Sequence, residues 1–196
     1  MKKIAVFLLA AALMLTACFM TSCSEKEKEA NLDVTHKVEL NIKNMGKITL
    51  ELYGNLAPKT VENFVSLVED GFYDGLTFHR IIPDFMIQGG DPEGTGFGGS
   101  GKAIVGEFAA NGFNNTLSHD RGVISMARRG DSYNSATSQF FICHSATYKS
   151  SLDGQYAAFG RVIEGIEIVD MIAAIPTNAN DKPLTDVIIE SAKIIK

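Results

Sequence analysis

A chain of 196 residues, 45% hydrophobic and 21% charged, has the composition of one globular domain with some appendage, which excludes a collagen-like, repeat-dominated or wholly disordered protein. The net charge of -5 and the pI near 5.4 argue against a binder of nucleic-acid backbone, which needs a basic face. The 18 glycines beside 5 prolines point to a turn-rich β architecture.

The chain opens with Lys2 and Lys3, an apolar run from Ile4 to Leu15 and small or polar residues around Ala17 to Cys23, the order of an export signal. The alternative, an uncleaved anchor, would use the uncharged stretch from Ile4 to Ser24 as a marginal bilayer span. Leu15-Thr16-Ala17-Cys18 and Met20-Thr21-Ser22-Cys23 both resemble the lipobox of bacterial lipoproteins. The polar run Ser24 to Glu29 starts directly after the second, which favours Cys23 as the lipidated residue, with Cys18 as the alternative. Residues 1–23 are thus expected to be a lipoprotein signal peptide and 24–37 a polar tether, too charged to pack. A doubly acylated cysteine would hold the protein on a membrane surface without a spanning helix. That resemblance implies an exported protein, lipid-anchored to a bacterial membrane and facing the periplasm or the cell exterior.

Residues 38–196 read as one domain. Val38, Leu40 and Ile42 alternate with polar residues, and after Asn44-Met45-Gly46 a second alternating run, Ile48, Leu50, Leu52, completes a hairpin. Pro58 then starts a helix with Val61, Phe64, Val65 and Val68 on one face and Gly71 as its stop. Short strand-like runs follow at Thr77 to Ile82, Phe85 to Gln88, Val123 to Ala127, Gln139 to Cys143 and Ala157 to Val162. A second helix is predicted near Ile166 to Ala174, and Val187 to Ile195 closes as a strand. Many short strands with few helices predict a closed barrel, which removes exposed sheet edges.

Two motifs mislead. Gly94 to Gly99 satisfies G-x-G-x-x-G and Gly96 to Lys102 satisfies G-x-x-x-x-G-K, yet the following Ala103 to Glu107 carry no helical stripe and no Ser or Thr follows the lysine, so no nucleotide loop is expected. His36, His79, His119 and His144 have no metal-ligand spacing and read as structural hydrogen-bonding or surface residues; no metal and no cofactor is expected. Cys143 is the one cysteine of the body, which excludes an intradomain disulfide and reads as a buried small hydrophobe.

The run Phe78-His79-Arg80-Ile81-Ile82-Pro83-Asp84-Phe85-Met86-Ile87-Gln88-Gly89-Gly90-Asp91 resembles the signature of the cyclophilins. Three further blocks follow in family order: Gly122 to Ala127, Ser138 to Cys143, and Leu152-Asp153-Gly154 with Phe159-Gly160. The resemblance implies a mainly β fold, a closed eight-stranded antiparallel barrel capped by two α-helices, and peptidyl-prolyl cis-trans isomerase activity; with the export signal it points to proline-containing exported polypeptides, while the acidic charge argues against a nucleic-acid partner and a single compact barrel gives no reason to expect more than a monomer. It implies Arg80 as the catalytic residue and Phe85, Met86, Gln88, Ala127, Gln139, Phe141, Leu152 and Tyr156 as substrate-binding residues. A non-catalytic proline-peptide-binding or chaperone module is the competing reading. It would need the apolar socket but not the guanidinium of Arg80.

Two positions and one loop depart from the family pattern. Ser151 stands where many members carry a tryptophan, which removes an apolar surface and an N–H donor and predicts weakened cyclosporin binding. Tyr156 stands where many carry a histidine, and Arg128 to Tyr133 replaces an Asn-rich rim loop. In strand periodicity Phe85 falls on the opposite face from Met86 and Gln88, so a bulge or twist is expected to bring it into the socket.

Overall fold

The structure, a computed structural model, describes residues 32–196. The expected signal peptide, both lipidation cysteines and residues 24–31 of the tether lie outside the described residues. Eight antiparallel strands form one curled sheet: β1 (His36–Ile42), β2 (Gly46–Leu52), β3 (Arg80–Ile82), β4 (Met86–Gly89), β5 (Val123–Met126), β6 (Phe140–Cys143), β7 (Ala158–Glu164) and β8 (Ile189–Ile195), in the spatial order β3-β4-β6-β5-β7-β2-β1-β8. The first strand starts two residues before the expected domain boundary, and Thr35 N already donates to Leu52 O.

The sheet is a curled half-barrel, where the sequence led to the expectation of a closed one. Its end strands, β3 and β8, share no ladder. Irregular chain ahead of β3 spans the seam. Thr77 bridges to Asp91 and Ile188, Phe78 N donates to Val187 O, and Gly75 N donates to Ile189 O.

Three helices cover the sheet, one more than expected: α1 (Pro58–Glu69), the single turn α2 (Lys149–Leu152) and α3 (Ile166–Ala173), with a 3-10 turn at Ala109–Asn111. The expected stripe of α1, Val61, Phe64, Val65 and Val68, is buried. Phe64 lies between Tyr73, Phe140 and Phe159, with ring centroids 5.1–5.5 Å apart. The stop is a Schellman motif: Gly71, at φ 66°, donates its N–H to Val68 O and Phe72 N donates to Leu67 O.

The start of α1 has no side-chain cap of its own and no acid in its first turn. Glu107 supplies both from a distant loop. Its buried carboxylate accepts Lys59 N at 3.1 Å and both Thr60 N and Thr60 Oγ1 at 2.8 Å, so the free N–H groups and the positive helix end meet an anion. Among the described residues no helix is long and apolar enough to cross a membrane.

Candidate active site

Strand alternation divides the β3-β4-β6-β5 region into two rows. Ile81, Ile87, Ile142 and Ile124 pair in register across the four strands, and all four are buried in the main core. The next row, Arg80, Gln88, Phe141 and Ser125, also pairs in register and therefore points to the opposite face. On that face Met86, Phe141, Cys143 and Leu152 form a second apolar cluster, separate from the core, with Ile82, Phe85, Ala127 and Tyr156 packed against it.

A cavity of about 180 Å³ opens there, lined by Arg80, Phe85, Met86, Gln88, Ala127, Arg128, Phe141, Leu152 and Tyr156. All but one of the residues assigned to the site from the sequence come together in it, and Arg128 joins them. Phe141 is its buried floor and Leu152, delivered by the short turn α2, a wall. Phe85 reaches the cavity by a turn and not by a bulge. It precedes β4, its N–H closes onto Ile82 O, and Asp84 before it takes φ 60°, so its side chain escapes the alternation of the strand.

Gln139 sits one step away. Its Nε2 donates to Gly96 O at 3.0 Å and Gly98 O at 2.8 Å, and its Oε1 accepts Gln88 Nε2 at 2.9 Å. It fixes the glycine-rich loop and the Gln88 amide at once. With Gln88, Ala127 and Arg128 it borders an adjoining cleft of about 720 Å³. The glycine loop opens no helix, and the N–H groups of Glu93, Thr95 and Gly96 are already taken by the Asp91 carboxylate at 2.6–2.9 Å. Those groups are engaged where a phosphate would need them.

Arg80 is half-exposed, with Nη1 3.4 Å from Gln88 Oε1 and Nε 3.4 Å from Asp181 Oδ2. Both contacts are long, which aims the guanidinium without saturating its donors. Arg128 is held harder: its guanidinium lies over the rings of Tyr156, Tyr133 and Phe108 at 4.6, 5.0 and 5.4 Å, and Nε donates to Gln155 O. Its sequence signal was the departure at Arg128 to Tyr133, read as a change of rim and not as part of the socket.

Behind the floor, His119 stacks on Phe141 with centroids 6.0 Å apart and planes 14° from parallel. Asp153 Oδ1 accepts from His119 N at 2.7 Å and lies 2.8 Å from Nδ1, and Nε2 is 3.0 Å from Ser125 Oγ. Since a carboxylate only accepts, the proton sits on Nδ1 and the serine hydroxyl donates to Nε2. Burial keeps His119 neutral by holding its pKa below the ordinary value, against the pull of Asp153. Burial also pushes the Cys143 thiol up to about 12, leaving it unreactive. Among the described residues no group of three His, Cys, Asp or Glu side chains could hold a metal.

The cavity lining contains no carboxylate, imidazole or thiol. It offers an apolar socket, an amide, a phenol and two guanidinium groups, which suits a reaction that moves no proton and forms no covalent intermediate.

Comparison with known proteins agrees with this chemistry. Residues 37–194 match the model of the family described as cyclophilin type peptidyl-prolyl cis-trans isomerase/CLD. The chain is 47% identical over 153 residues to peptidyl-prolyl cis-trans isomerase-like 1 of Neurospora crassa, covering 78% of this chain and 90% of the relative. It is 46% identical to peptidyl-prolyl cis-trans isomerase ppi1 of Schizosaccharomyces pombe, covering 78% and 92%. The crystal structure of a Cryptosporidium parvum cyclophilin type peptidyl-prolyl cis-trans isomerase superposes with a TM-score of 0.74 at 35% identity, over 82% of this chain and 98% of that one; the same protein was also solved in the presence of the dipeptide Ala-Pro. A match over nearly the whole described domain, at these identities, places the chain in the cyclophilin-type peptidyl-prolyl cis-trans isomerase family.

Proposed function

We propose that this isomerase acts on proline-containing polypeptides outside the cytoplasm, held to a bacterial membrane by a lipid on Cys23, and that Arg80 stabilises the twisted prolyl amide. Rotation about an X-Pro bond meets a barrier of about 18–20 kcal/mol because the amide is conjugated, and takes tens to hundreds of seconds unaided. Twisting breaks conjugation and leaves the prolyl nitrogen pyramidal and basic. A donor fixed over that nitrogen binds the twisted form better than the planar one, which lowers the barrier.

The observation that carries this reading is the placement of Arg80. It projects from the same sheet face as the Phe141 floor, in register with Gln88, beside a socket that suits a proline ring. Gln88 would then hold the substrate backbone. A guanidinium is a permanent cation, so neither a cofactor nor a proton transfer is required. The Ala-Pro dipeptide used with the Cryptosporidium relative supports a proline-containing ligand. The lipid anchor is supported by the lipobox-like Met20 to Cys23 and the charged tether after it.

Exchange NMR on an X-Pro peptide with the full-length chain tests the reading. Wild type is expected to accelerate exchange strongly, and R80A to lose most of it while still folded. An R80A variant as fast as wild type would refute the role of Arg80, and peptide binding without acceleration would favour the non-catalytic module. Labelling with a radioactive fatty acid in a bacterial host should mark the wild-type chain and spare C23A; persistent labelling of C23A would move the lipid to Cys18.

A further inference from the structure

The turn that carries Phe85 is gripped by a histidine outside the socket. His144, just past β6, donates its N–H to Phe85 O at 2.9 Å, and its ring Nδ1 lies 2.9 Å from Asp84 N. Ser145 Oγ donates to Asp84 O. Together they hold Asp84 in its left-handed conformation, which a residue with a side chain seldom adopts unsupported.

Because a backbone amide only donates, Nδ1 must be bare and the ring proton must sit on Nε2, 3.2 Å from Asp170 Oδ1 on α3. Arg121 locks the far side: Nη2 donates to Asp170 Oδ2 at 2.7 Å and Nη1 to His144 O at 2.8 Å. The ring is mostly buried, at 19% side-chain exposure.

We propose that His144 is a positioning residue for isomerisation, a neutral imidazole that holds the 82–85 turn and thereby sets the Phe85 wall of the socket, and lets it go on protonation. The inference rests on the reading of Phe85 as a wall of the proline socket. Protonation would set an Nδ1 hydrogen against the Asp84 N–H, two donors facing each other. The charged groups that face the ring are Asp170, with Oδ1 3.2 Å from Nε2, the Asp84 carboxylate, with Oδ1 4.0 Å from Nδ1, and Arg121, bound to Asp170. The protonated ring exchanges a backbone N–H for the Asp84 carboxylate, so the turn has to move. The Tyr148 ring also packs on Phe85, with centroids 4.6 Å apart.

Asparagine can present its side-chain oxygen where Nδ1 sits, at every pH. The test is exchange NMR on an uncharged X-Pro tetrapeptide with the full-length chain, comparing wild type, H144N, H144A and F85A from about pH 8 to about pH 5. Wild type is expected to lose efficiency several-fold toward acid, mainly through a higher KM. H144N should keep most of the alkaline efficiency and lose the acid limb, and H144A should show a raised KM throughout. An acid loss in H144N equal to that of wild type would overturn the proposal, and this comparison stands even if H144A does not fold. If F85A is impaired while folded H144A matches wild type, the positioning role alone fails. If F85A matches wild type, Phe85 is no wall and both readings fail.

Discussion

Arg80 and Gln88 stand directly opposite each other across the β3-β4 pair, with 3.4 Å between the Arg80 Nη1 and the Gln88 Oε1. The amide steers the guanidinium, and Gln88 is in turn fixed by Gln139, which is fixed by the glycine loop. Removing an aimed donor from a preorganised site costs about 100- to 1000-fold in rate. R80A should therefore lose roughly two orders of magnitude in kcat/KM with its fold intact, since Arg80 is half-exposed. R80K keeps the charge but not the planar fork and should recover only part of the loss. Exchange NMR with thermal melts separates the two effects; equal activity of R80K and wild type would mean that charge alone suffices.

Phe141 serves two structures at once, the socket floor and the stack on His119. F141A should raise KM for prolyl peptides and also lower stability by about 3–5 kcal/mol, the usual cost of deleting a buried phenyl ring. Urea denaturation beside peptide titration checks both. A loss of activity without a loss of stability would mean that the His119 layer closes up behind the missing ring.

Most of this architecture was legible in the chain because it is written at period two or period 3.6. The alternation through Val38 to Leu52 and the stripe of α1 gave hairpin and helix directly. Where the sequence misled, the outcome rests on a short irregular segment or on contacts between distant parts of the chain. The α2 turn is four residues long and has no periodicity to read. Phe85 sits on the wrong face for a strand until Asp84 turns the chain. Arg128 looks like a rim charge until three aromatic rings from separate segments close around it. The seam between β3 and β8 depends on how far the sheet curls, which no local pattern encodes.

The cap on α1 is another such contact, spanning 47 residues from Glu107 to Thr60. E107A leaves two backbone N–H groups and a buried hydroxyl without their acceptor. It should cost about 1–3 kcal/mol, the range for unsatisfied buried polar groups. E107Q retains one acceptor oxygen and should cost less. Chemical denaturation resolves the two; an unchanged midpoint for E107A would show that the helix start is capped by water.

Ser151 is exposed on α2 and turns its hydroxyl back onto Tyr148 O at 2.8 Å, presenting little apolar surface beside the socket. Cyclosporin should therefore bind weakly, and S151W should tighten it by restoring an indole N–H and its ring. Isothermal calorimetry decides, and tight binding by the wild-type chain would show that the remaining wall suffices.

Stability should depend on pH in two separable steps. Burial holds His79 and His119 below the ordinary histidine pKa, so both are neutral in the fold, whereas the unfolded chain takes up their protons near pH ~6.5. Their contribution is complete above that value and is lost as the pH falls from it toward the depressed folded values. Asp91 and Asp153 behave as depressed acids. Burial would raise them, but the N–H groups of Glu93, Thr95 and Gly96 on one, and the N–H and ring of His119 on the other, outweigh it. Their contribution is complete above about pH 3.9 and is lost below it. The urea midpoint should thus decline gently between about pH 7 and pH 5 and steeply below about pH 4. The ring nitrogens of His79 have no hydrogen-bond partner, so H79L should shrink the first decline and leave the second unchanged. A midpoint that stays flat from neutrality to the carboxylate range would show that neither histidine is held neutral by the fold.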